Sequence, residues 1–108
     1  MSSKLIEVTD ESFEADVLRA ELPVLVAFVE PGASSSESLV KVMEKIAEEY
    51  GGRVVVAKVD FEANPKATYA AKLQSVPEVH SFVNGGHGIS LEGVPSKDEI
   101  LQLVGLGG

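Results

Sequence analysis

The stretch Val24-Leu25-Val26-Ala27-Phe28-Val29 is six consecutive apolar residues, closed by Glu30-Pro31-Gly32. A strand with one wet face alternates apolar and polar residues; an unbroken apolar run of this length marks a strand buried on both faces. Beyond it, Leu39, Val42, Met43, Ile46, Ala47 and Tyr50 recur at helical spacing. A central strand therefore feeds a tight loop, and the loop feeds a long helix. Ser34, Ser35 and Ser36 fall where that helix begins. Unpaired backbone N–H groups and the positive end of the helix dipole lie there. In an α/β protein the carboxyl end of a central strand is where sites are built.

The rest of the chain supplies partners for that strand. Lys4 to Val8 reads as a short strand, and Thr9 or Asp10 can cap a helix presenting Phe13, Val17 and Leu18 on one face. Gly51-Gly52 ends the long helix in the left-handed conformation that glycine tolerates. Arg53 to Val59 is a second apolar strand, and Asn64-Pro65 opens a short helix running through Ala71. Val79 to Val83 is a third core strand; Asn84-Gly85 predicts a hairpin returning through Gly86 to Glu92. Ser96 can cap a last helix that turns Ile100, Leu101, Leu103 and Val104 inward, and Gly105 to Gly108 reads as a frayed tail. The order β-α-β-α-β-α-β-β-α predicts an α/β fold with a central mixed β-sheet flanked by helices on both faces.

The 108 residues suit a single domain, 1–108, with one core. The formal charge of −8 argues against nucleic acid or an anionic membrane as a partner. With no cysteine, disulfides, thiolate chemistry and cysteine metal sites are excluded. The N-terminus has no long apolar run of the signal-peptide kind, so a cytoplasmic, monomeric protein is expected.

Several pieces of this chain resemble the thioredoxin family: Ile6-Glu7-Val8-Thr9-Asp10, Pro23-Val24-Leu25-Val26, Ala47-Glu48-Glu49-Tyr50, Val56-Ala57-Lys58-Val59-Asp60, Asn64-Pro65, Val76-Pro77 and Phe82-Val83-Asn84-Gly85. The resemblance covers nearly the full length. It implies the thioredoxin fold and a cis peptide bond at Val76-Pro77, facing the active-site loop. It also makes the departures visible. The family's W-C-G-P-C falls on Gly32-Ala33-Ser34-Ser35-Ser36, its buried aspartate on Ala27, its central-strand tryptophan on Val29 and a frequent tyrosine on Ala71. Glu78 stands where the family has threonine, and His80 where it has a buried leucine. Replacing large groups by Ala27, Val29, Gly32 and Ala71 predicts a cavity there, unless neighbours such as Phe61 or Tyr69 fill it.

Ser, His and Glu together suggest acyl transfer, which needs a nucleophile, a base, an orienting acid and oxyanion donors. Ser36 is the favoured nucleophile, then Ser35 and Ser34, with His80 as base and Glu78 or Glu30 as acid. Such a set on this scaffold is what a designed esterase acting on a small activated ester would carry. The plainer reading makes the serines helix caps, His80 a hydrogen-bonded core residue, His87 an exposed edge residue and Glu92 a solvated side chain. Lys58 is read as structural, with Schiff-base chemistry as its alternative use. No cofactor is expected, and two histidines at this separation lack metal-ligand spacing. The competing function is a non-catalytic scaffold or binding module.

The missing sulfur nucleophile carries the first prediction. The chain should reduce insulin disulfides no faster than a protein-free control, because methionine cannot replace a thiolate.

Overall fold

A computed structural model describes residues 5–106. Five strands, β1 (Ile6–Glu7), β2 (Val24–Val29), β3 (Val55–Asp60), β4 (Glu78–Val83) and β5 (Gly86–Glu92), form one sheet in the order β1-β3-β2-β4-β5. β3 pairs in parallel with β1 and β2, while β4 is antiparallel to β2 and β5. The mixed sheet has helices on both faces, as the alternation of elements predicts. Among the described residues, no helix is long and apolar enough to cross a membrane.

β2 is buried at all six positions, and its alternate side chains enter different cores. Leu25, Ala27 and Val29 pack with Leu39, Met43 and Ile46 of α1 (Ser34–Tyr50) and with Ile100 and Leu101 of α3 (Lys97–Gln102). Val24, Val26 and Phe28 pack with Phe13 and Val17, with Ala67 and Ala71 of α2 (Pro65–Ala71), and with Phe82. Each fully buried Leu, Ile, Met or Phe contributes roughly 1.5–3 kcal/mol of transfer free energy. The two cores therefore fix which way every β2 and β4 side chain must point.

The Val76-Pro77 bond is cis. Asn84 and Gly85 both take positive φ, +52° and +80°, as a two-residue hairpin turn requires. Ser96 forms a capping box with Glu99 at the start of α3. Several local expectations are corrected. β1 is limited to two residues, although Val8 extends its pairing through a bond to the Lys58 carbonyl; Lys4 lies outside the described residues. The first helix is a single π-helical stretch, Glu14–Leu18, without a side-chain cap. The left-handed glycine after α1 is Gly52, not Gly51. Leu106 is no frayed end: its N–H donates to the Leu101 carbonyl and its side chain packs on the core. Gly107 and Gly108 lie outside the described residues.

Asp10 caps a helix, but not the one that follows it in sequence. Its carboxylate accepts from the Ala67 and Lys66 N–H groups at 2.8 and 3.1 Å, at the start of α2. Its own N–H donates to Asn64 Oδ1 at 2.9 Å. A negative charge on unpaired N–H groups at a helix start is favourable both as a hydrogen bond and through the dipole. Asp10→Ala should cost about 1–2 kcal/mol of stability in urea unfolding, and Asp10→Asn, which keeps one acceptor oxygen, less.

Candidate functional site

The two-sided sheet separates the expected catalytic residues. Ser36 lies in the first turn of α1, on the face of Ala27 and Val29, and is buried. Its Oγ accepts from the Glu30 N–H at 2.9 Å, tying the loop to the helix. None of the three serines is a cap, because Ala33 holds the cap position. Ser34 and Ser35 are exposed, as is the Glu30 side chain. His80 pairs with Val26 and Glu78 with Phe28, so both point to the other face; the His80 and Phe28 rings meet edge to face at 5.1 Å. Ser36 and His80 therefore stand on opposite sides of β2, and no Ser–His contact forms.

His80 and Glu78 do meet. His80 Nε2 lies 2.8 Å from Glu78 Oε1, with both side chains almost wholly buried. Glu78 Oε2 accepts from the Ser75 N–H at 3.0 Å, the Ser75 hydroxyl at 3.2 Å and the Gln74 N–H at 3.2 Å. These donors sit just ahead of the cis-proline and satisfy the outer oxygen. A carboxylate can only accept, so Nε2 of His80 is the donor. Neutral His80 then has Nδ1 free to accept, and it lies 2.7 Å from Nε2 of His87 on β5. The two imidazole planes lie within 19° of each other and the rings meet edge to edge through these nitrogens, with centroids 4.9 Å apart. Partial burial, followed by the repulsion a His87 cation would meet from a protonated His80 and from Lys72, lowers the pKa of His87 below the usual histidine value.

His87 is exposed on an outer strand, as its sequence position suggests, yet it belongs to this cluster. Its partnership was the functional feature missed in the sequence. The available signal was the hairpin: with Asn84-Gly85 as the turn, His87 falls opposite Phe82, diagonal to His80 on the same face.

The expected cavity bounded by Ala27, Val29, Gly32 and Ala71 does not exist as such. Ala27 and Ala71 are closed into different cores on opposite faces. Val29 and Gly32 do line a cavity of about 400 Å³, together with Glu30, Ser36, Lys58 and Asp60. Phe61 and Tyr69 fill neither space. They border a separate open groove with Lys72 and Leu73, where Tyr69 is 86% exposed. No group of metal-ligating side chains occurs among the described residues.

The sequence profile described as Thioredoxin matches residues 4–105. The chain is 34% identical over 85 residues to thioredoxin C-2 of Corynebacterium nephridii, covering 79% of each chain. It is 32% identical over 97 residues to the thioredoxin of Rickettsia bellii, covering 90% of this chain and 92% of that one. It is also 32% identical over 100 residues to the thioredoxin of Acidithiobacillus ferridurans, covering 93% of each.

Removing Glu78 would leave three N–H groups, those of Gln74, Ser75 and His80, without their acceptor. Glu78→Ala should lower unfolding free energy by about 2–3 kcal/mol, whereas Glu92→Ala, its exposed cross-strand neighbour, should change it by less than about 0.5 kcal/mol. Denaturant midpoints at unchanged slope measure both.

Proposed function

This chain belongs to the thioredoxin family but has no cysteine, and we propose that it works as a redox-silent binding module on the thioredoxin fold. The observation that carries this reading is the state of Ser36. It stands at the family's inner cysteine position with its oxygen engaged by the Glu30 N–H and the sheet between it and His80. A serine needs a base within hydrogen-bond reach to become a nucleophile. The designed-esterase reading, with Ser36, Ser35 or Ser34 as nucleophile and a small activated ester as substrate, lacks that contact.

Binding needs less, and its framework is kept. The loop Pro31-Gly32 is exposed. The Gly93 N–H holds the Pro77 carbonyl at 2.9 Å, fixing the cis-proline segment beside exposed Val94. An extended peptide is the occupant we propose for this edge, with nucleic acid and anionic membrane disfavoured by the −8 charge. A monomer in the cytoplasm is the form proposed.

Two measurements test the reading. Amide NMR with an extended, apolar, cysteine-free peptide should move the signals of Gly32, Val76 and Gly93, and a fluorophosphonate probe should leave Ser34, Ser35 and Ser36 unlabelled. Serine labelling that disappears in His80→Ala would overturn the binding reading in favour of the hydrolase; unmoved amides would remove the peptide.

A further inference from the structure

A carboxylate, a buried imidazole and a surface imidazole lie in line on the face away from Ser36, at 2.8 and 2.7 Å. We infer that Glu78, His80 and His87 form an acyl-accepting triad in which Nδ1 of His87 is the nucleophile, His80 the base and Glu78 the orienting acid, taking small activated acyl donors such as aryl esters. This inference does not rest on the peptide-binding reading.

The bond directions follow from Glu78. Its carboxylate accepts from His80 Nε2–H, neutral His80 accepts at Nδ1, and His87 must then donate from Nε2. The remaining nitrogen of His87, Nδ1, carries a lone pair and makes no hydrogen bond among the described residues. His87 is exposed, so a reagent can reach it. Partial burial lowers its pKa, which favours the uncharged ring. Each role of a Ser–His–acid triad is filled, with an imidazole nitrogen in place of the hydroxyl.

The step balances. Nδ1 of His87 bonds to the acyl carbon, and the bond from that carbon to the aryl oxygen breaks, releasing the aryloxide. The Nε2 proton of His87 passes to Nδ1 of His80. His87 is left as a neutral acyl-imidazole, and His80 as an imidazolium held against the Glu78 carboxylate. Water then attacks the acyl carbon and the bond from that carbon to His87 Nδ1 breaks; the proton on His80 returns to His87 Nε2, one water proton leaves on the carboxylic acid, and the other passes to solvent, where it neutralises the released aryloxide. An isolated surface histidine would have to hold the positive charge itself. Here that charge moves to the one imidazole already paired with a buried carboxylate.

Diethyl pyrocarbonate, which carbethoxylates unprotonated imidazole, is the probe, with peptide mass mapping at pH 7. His87 in the folded protein should react roughly 10-fold faster than in the urea-unfolded chain, less than the about 10²–10⁴-fold that general acid–base catalysis gives in evolved sites. Glu78→Gln can accept from Ser75 yet offers an N–H to His80 Nε2. That reverses both bonds and places the His87 proton on Nδ1, so the rate should fall to the unfolded-chain level or below. Nitrogen-15 NMR of the unaltered protein reads the same arrangement without any variant: His87 should be the Nε2–H tautomer. An Nδ1–H tautomer for His87, or reaction no faster than in the unfolded chain, would overturn the triad. Where Glu78→Gln fails to fold, those two readings decide.

Discussion

β2 has no solvent face. All six of its residues are buried, and because side chains alternate, its odd and even positions serve two cores that never meet. Everything docked on the sheet inherits this division. α1 and α3 cover the side of Leu25, Ala27 and Val29; the π-helix and α2 cover the side of Val24, Val26 and Phe28. β4 pairs with β2 in a register that sets Glu78 and His80 beside Phe28 and Val26. A slip of one residue would send both to the α1 face, but it would also expose or misplace every apolar neighbour on β4. The register is thus enforced by Val79 and Phe82, and the polar residues are placed by it.

A carboxylate and an imidazole with almost no exposure are costly unless their polar atoms are paired. Here both are. Glu78 has four donors around its two oxygens, and His80 has a partner on each ring nitrogen. No buried side-chain nitrogen or oxygen is left without a partner among the described residues. Three of the four donors to Glu78 come from Gln74 and Ser75, in the segment entering the cis-proline. The same carboxylate therefore orients His80 and tethers the loop before β4. Removing it acts on both, which is why a stability readout alone cannot separate its structural role from an orienting one, and a tautomer can.

The fold was legible in the sequence because its signals are local and repeated: the unbroken β2 run, the helical spacing from Leu39 to Tyr50, the positive-φ pair Asn84-Gly85 and the capping box at Ser96. The site was legible only along one strand. Glu78 and His80 are two residues apart, so period-two alternation alone puts them on one face. The pairing of Ser36 with His80 required knowing which face of β2 each element covers, and a helix start gives no such information. Asp10 shows the same limit. As a helix cap it was recognisable by type, but the helix it caps begins at Pro65, and the N–H nearest its carboxylate is that of Ala67, 57 residues later. The bond is made through the parallel placement of β1 beside β3, which no local pattern reveals.

Ser36 and His80 both occupy positions that the thioredoxin resemblance marks as altered, and the sheet gives them separate consequences. On the α1 side, the hydroxyl of Ser36 closes the loop onto the helix by accepting the Glu30 N–H, a bond that needs no base and favours a fixed loop. The adjoining cavity of about 400 Å³ holds Lys58 and Asp60 but neither histidine. On the α2 side, a ring at position 80 can carry no proton to Ser36, yet its outward nitrogen reaches the next strand. The β4–β5 register shifts between His80 and Phe82, where Ser81 Oγ bonds the Ile89 backbone through both its N–H and its carbonyl. A β-bulge of this kind re-aims neighbouring side chains. His80 consequently pairs across to Ser90, while His87, opposite Phe82, turns its ring edge toward the His80 ring. The geometry that denies His80 a serine partner is the geometry that supplies a second imidazole. Any chemistry His80 supports must therefore leave the protein through β5, at His87.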